Sequence, residues 1–98
     1  PPFAHLALLR AEARHAEPPM RFLREAKVTL GAFAVEASDP LPAPMPRRAG
    51  YVRAQLVVSA PDRRTLHAAL DAVVPALYAA PEARRVRWSL DVDPVDLY

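Results

Sequence analysis

A chain of 98 residues with 52% apolar composition suits one hydrophobic core without cross-links. The absence of cysteine excludes a disulfide framework, thiolate zinc sites and thiol catalysis. No apolar run approaches the roughly 18 residues that span a bilayer. The start, PPFAHLALLRAEA, lacks the basic n-region of a signal peptide and reads as a piece cut from a longer protein, so one domain over 1–98 is expected.

The net charge of +2 is unevenly spread: residues 1–90 carry +5 and the last eight, with Asp91, Asp93 and Asp96, carry −3. Twelve of the thirteen basic residues are arginine. Arginine forks suit phosphate. Twenty alanines and a single lysine also point to a GC-rich coding bias that favours arginine whatever the function.

In chain order, residues 3–12 (FAHLALLRAE) are short and apolar, as in a strand buried on both faces. Residues 18–31 predict a helix that Pro18 and Pro19 open, Phe22, Leu23, Ala26 and Leu30 line, and Gly31 caps. FAVEA (33–37) is a short strand candidate. Residues 38–50, SDPLPAPMPRRAG, hold four of the twelve prolines and predict a stiff loop or edge segment, read as a rigid hairpin connection.

Residues 51–60 alternate, with Val52, Ala54, Leu56 and Val58 on one face and Tyr51, Arg53, Gln55, Val57 and Ser59 on the other. A second helix follows, with Pro61 in its first turn and Leu66, Leu70, Val73 and Leu77 on one stripe. Pro75 predicts a kink or an early stop. The last strand, 85–93, sends Val86, Trp88, Leu90 and Val92 inward and Arg85, Arg87, Ser89, Asp91 and Asp93 outward.

The order βαββαβ makes an α+β fold, with two helices covering one face of a four-stranded sheet. Right-handed crossovers give a split βαβ, ferredoxin-like plait whose other sheet face is open.

Catalytic signatures are missing. Gly31 and Gly50 are the only glycines, which excludes a Walker A loop and a dinucleotide fingerprint. His5, His15 and His67 share no metal-ligand spacing, and His67 reads as a helix-surface residue. Ser59, Thr65 and Ser89 have no activating motif. Asp91 and Asp93 share a strand face and suggest a cation site or an acid–base pair, but Pro94 ends the strand and arginines share the face. A solvated or arginine-paired terminus is the simpler reading, and the chain is expected not to be an enzyme.

The open face carries Tyr51, Arg53, Arg85 and Arg87, extended along the hairpin by Arg47 and Arg48. Arginines there can neutralise phosphates and an aromatic ring can stack on bases. The same residues also suit a solvated face paired with Asp91 and Glu36. Trp88 alternates onto the core side.

PPFAHLALLRAEA, PLPAPMPRRAGYVRAQLVV and PEARRVRWSLDVDP, in this order over the whole chain, resemble the C-terminal domain of the PriA family, the bacterial primosomal replication-restart proteins. Trp88 and Asp91-Val92-Asp93-Pro94 are the most specific part. The resemblance implies a plait like that of a small-subunit ribosomal protein and a cytoplasmic, nucleoid-associated parent. It further implies an accessory role in binding stalled forks or branched DNA, without sequence readout, during primosome assembly.

The family parent is an ATP-dependent 3′–5′ DNA helicase with magnesium and a zinc insertion, whereas none of those motifs lies in this chain and no cofactor is expected here. Implied partners are DNA, other domains of the parent, single-stranded DNA-binding protein and primosome components. Two departures stand out: family members often have glycine at Ser38 or Asp39, and a further residue between Gly50 and Tyr51, so the hairpin is expected to differ. The alternative function is a protein-docking module that packs on the helicase lobes or a primosome partner.

Overall fold

The computed structural model describes residues 5–93, apart from the side chains of 44–48. Strand β1 (His5–Ala13) leads into helix α1 (Glu17–Leu30); β2 (Glu36–Ala37), β3 (Leu41–Arg48) and β4 (Tyr51–Ala60) follow, then helix α2 (Arg63–Ala79), a 3₁₀ turn (Pro81–Arg84) and β5 (Arg87–Val92). All strand pairs are antiparallel, in the order β2-β4-β1-β5 with β3 also on β4.

The sheet has five strands rather than the expected four, because the edge strand comes in two pieces. β1 occupies one edge of β4 along Val52–Ala60, so β2 and β3 must share the other. At the break the Ser38 N–H donates to the Val57 carbonyl, and the Val57 N–H donates to Ser38 Oγ, both at 2.9 Å. One hydroxyl thus keeps β4 satisfied where the ladder is interrupted. Lys27 Nζ donates to Asp39 Oδ1 at 2.6 Å and ties the end of α1 to the same point.

Of the two expectations for the proline-rich segment, a stiff loop or an edge segment, the fold takes the second: it forms edge strand β3. An edge strand spends only every second N–H on its single neighbour, so prolines at 40, 42, 44 and 46 do not abolish pairing. The register slips between Pro42 and Arg47, a long bulge. Beyond it Arg48 pairs with Tyr51 across a two-residue turn whose residues, Ala49 (φ 53°) and Gly50 (φ 84°), both have positive φ. That is the hairpin geometry matching right-handed strand twist.

One core joins Ala7, Leu9 and Ala11 of β1 and Ala54, Leu56, Val58 and Ala60 of β4 to both helices. α1 contributes Phe22, Leu23, Ala26 and Leu30; α2 contributes Leu66, Ala69, Leu70, Val73 and Leu77. Both helices therefore cover the same sheet face. α2 begins at Arg63 and Asp62 caps it, its Oδ1 accepting from the Thr65 N–H at 2.7 Å, so Pro61 precedes the helix instead of lying in its first turn. Pro75 neither stops nor shortens α2, which continues to Ala79. It sits on the solvent side, while Val73 and Leu77 are each 1% exposed and hold the turns around it.

The second sheet face is not wholly open. Alternation places Leu8 there, yet it is fully buried and stands apart from the helix-covered core. The arginine-rich part of this face lies toward the Tyr51 and Arg87 ends of β4 and β5.

Candidate nucleic-acid interface

Strand register sets the charge pattern. Glu12 of β1 lies opposite Arg53 of β4 on one side and opposite Arg87 of β5 on the other. The next row on this face places Arg10 between Gln55 and Ser89. Period-two alternation aims all six side chains away from the helices.

Glu12 bridges both arginines: Arg87 Nη2 donates to its Oε2 at 2.5 Å, and Arg53 Nε lies 3.6 Å from its Oε1. Tyr51 orders two guanidiniums. Arg87 Cζ stands 3.9 Å and Arg14 Cζ 4.9 Å from its ring centroid, within cation–π range. Arg84, Arg85 and His15 line the same cleft. Six arginines (10, 14, 53, 84, 85 and 87) thus border two adjoining grooves, and Glu12 is their only carboxylate among the described residues. Arg10 Nε and Gln55 Oε1 are buried with no partner among the described residues, so the floor of this face keeps unspent hydrogen-bonding capacity.

The expected residues are distributed as follows. Tyr51, Arg53 and Arg87 share the face, in contact through Glu12 and the ring. Arg85 does not lie on the strand, which begins at Arg87; it caps the 3₁₀ turn and reaches the cleft from there. The turn that Pro81 opens ends at Arg84, and Arg85 and Val86 lead out of it, so β5 starts two residues later than expected. Arg47 and Arg48 belong to β3 by backbone, and their side chains lie outside the described residues. Glu36 is on β2, at the opposite sheet edge from Arg87, and makes no ion pair with Arg53, Arg85 or Arg87 among the described residues.

The expectations from sequence do not include Arg10, Glu12 and Arg14. The signal is nonetheless there: R-A-E-A-R over 10–14 has period two, with polar residues on one side and alanines on the other. The apolar run before it hides that pattern.

Trp88 packs toward the core, 5.6 Å from the Phe22 ring and 5.1 Å from that of Tyr78. Asp91 is exposed, and Asp93 lies 3.8 Å from His5 Nδ1 with φ of 53°. Among the described residues no three His, Cys, Asp or Glu side chains gather as a metal cluster, and no helix is long and apolar enough to cross a membrane. His67 is on the exposed face of α2. The chemistry this arrangement offers is multivalent anion binding.

Comparison with known proteins agrees with the sequence blocks. The replication restart protein PriA of Haemophilus influenzae (strain ATCC 51907 / DSM 11121 / KW20 / Rd) is 35% identical over 104 residues, covering 99% of this chain and 13% of the relative. The chain therefore spans about an eighth of that protein's length. Two solved structures share the fold. The de novo designed protein Foldit4 has TM-score 0.68 at 10% identity, covering 95% of this chain and 99% of its own. A hydantoinase/carbamoylase family amidase from Burkholderia ambifaria has TM-score 0.56 at 15% identity, covering 91% of this chain and 27% of the amidase. These two likenesses concern the fold alone. The model of the primosomal protein N C-terminal domain matches residues 1–95, and the chain belongs to that family.

Proposed function

We propose that this domain is a DNA-binding accessory module of a replication-restart protein, gripping the phosphodiester backbone of a fork arm without reading its sequence. The observation that carries the reading is the convergence of six arginines on two adjoining grooves with Glu12 as their only carboxylate among the described residues. Such a surface matches the closely spaced charges of a nucleic-acid backbone. Tyr51 supports it by holding Arg14 and Arg87 on its ring, a role in positioning cations rather than stacking bases.

In the same reading the sheet is a split βαβ plait with an interrupted edge strand, since β5-β1-β4-β2 is the order such a plait requires. DNA and the remaining domains of a cytoplasmic restart protein are its partners, and the residues here call for no cofactor. The competing reading, docking on those domains, is favoured by one feature: Tyr78, 72% exposed, flanks a largely apolar groove beside an edge of β5 that has no strand partner among the described residues.

Fluorescence anisotropy with forked, duplex and single-stranded DNA over a salt series separates the two. The DNA-binding reading expects affinity that falls steeply with salt and weakens when Arg87 and Arg85 become alanine. No binding at near-physiological salt, or binding indifferent to those arginines, would favour docking.

A further inference from the structure

Glu12 is out of place in a purely attractive anion site. It lies at the junction of the two grooves, in register with both Arg53 and Arg87, and makes an ion pair with each. We propose that Glu12 is a resident counter-ion, a carboxylate that phosphate must displace from Arg53 and Arg87; the inference rests on the DNA-binding reading above. Binding is then an exchange: the arginines trade one carboxylate for phosphate oxygens, and Glu12 is released to water.

Three observations support exchange over a fixed structural pair. Glu12 is one-quarter exposed and the Arg87 side chain is 63% exposed, so solvent and ligand reach the pair. An ion pair as accessible as the one with Arg87 is weakly held. The arginines also keep their places without Glu12, because Tyr51 holds Arg87 from its ring and Arg53 is 15% exposed on the sheet. The consequence is a threshold. A lone anion must overcome a carboxylate already in place, whereas a backbone presents several phosphates and displaces it with help from Arg14, Arg84 and Arg85. Glu12 thereby selects for closely spaced phosphates.

The test compares Glu12→Gln, Glu12→Asp and Glu36→Gln. The last variant raises net charge equally, but at the far edge of the sheet. Binding of a duplex of about 20 base pairs is measured over a salt series, where each phosphate neutralised adds about 0.9 to the slope. Glu12→Gln should bind about tenfold tighter at low salt and steepen the slope by about one to two. Glu36→Gln should change affinity by less than about twofold. Glu12→Asp should fall between wild type and Glu12→Gln. Equal effects of Glu12→Gln and Glu36→Gln, or weaker binding by Glu12→Gln, would overturn the proposal and make Glu12 an organiser of the arginines.

Titration with inorganic phosphate, followed at the Arg53 and Arg87 Nε–H resonances, tests the site without DNA. Phosphate shifts that strengthen in Glu12→Gln, with no DNA bound by either protein, would keep the exchange and reject the DNA reading. No response to phosphate in either protein would reject the exchange.

Discussion

Replacing Trp88 by alanine separates a core residue from a base-stacking platform. The indole is half-buried, with the fully buried Phe22 ring on one side and the exposed Tyr78 ring on the other. Removing about half of a tryptophan's roughly 200 Å² from water is worth about 2.5 kcal/mol at about 25 cal/mol per Å². The contact with Phe22 adds about 0.5–1.5 kcal/mol.

Trp88→Ala should therefore cost about 3–4 kcal/mol, toward the low end of tryptophan truncations because the site is only half-buried. For a chain of this length that corresponds to a fall in Tm of roughly 12–30 °C. Calorimetry and urea denaturation followed by far-ultraviolet circular dichroism measure it, since the chain has no other tryptophan. Trp88→Phe should recover most of that stability. At 10 °C (about where a domain of this kind is most stable) the folded variant should bind DNA as wild type does. A cost under about 1 kcal/mol together with a tenfold or greater fall in DNA affinity would make Trp88 a stacking surface and not a core residue.

Two further outcomes follow from local geometry. Ala49 has φ of 53°, a region that favours glycine and asparagine, so Ala49→Gly or Ala49→Asn should stabilise the hairpin by about 0.5–1 kcal/mol, read as a higher Tm. Asp62 is held below the usual carboxylate range by the Thr65 N–H, then by the Thr65 side chain; Asp39 is lowered by its hydrogen bond from Lys27, then by the lysine's charge. Depressed folded values mean stability that is present at neutral pH and declines as pH falls below about 4. Urea midpoints between neutral and acid pH should decline there, less steeply in Asp62→Asn, which keeps a capping side chain without the titration.

The elements whose pattern is local are legible in the sequence. The alternation of Tyr51–Ala60 and the stripe Leu66, Leu70, Val73 and Leu77 each specify their own face, and the fold buries the faces they specify. Two features have a competing rule. Prolines at 40, 42, 44 and 46 argue against a strand unless it is known to be an edge, which only the fold decides. Pro75 argues against a helix interior unless its buried neighbours outweigh one missing hydrogen bond.

The site is legible in kind but not in membership. Tyr51, Arg53 and Arg87 follow from alternation in their own strands. Glu12 pairs with a residue 75 positions away, and no local pattern brings those two together. Arg85 is displaced from its expected strand because the 3₁₀ turn at Pro81 shortens β5, and Arg14, one residue past β1, is held on the Tyr51 ring.

Whether these arginines bind a phosphate backbone is decided by the salt dependence of fork binding in wild type and in Arg53→Ala/Arg87→Ala. Log affinity should fall linearly with log salt, and the slope should be shallower by about 0.9 for each phosphate that the variant no longer neutralises. An affinity and slope unchanged by removing both arginines, with the variant folded, would contradict phosphate binding by this pair.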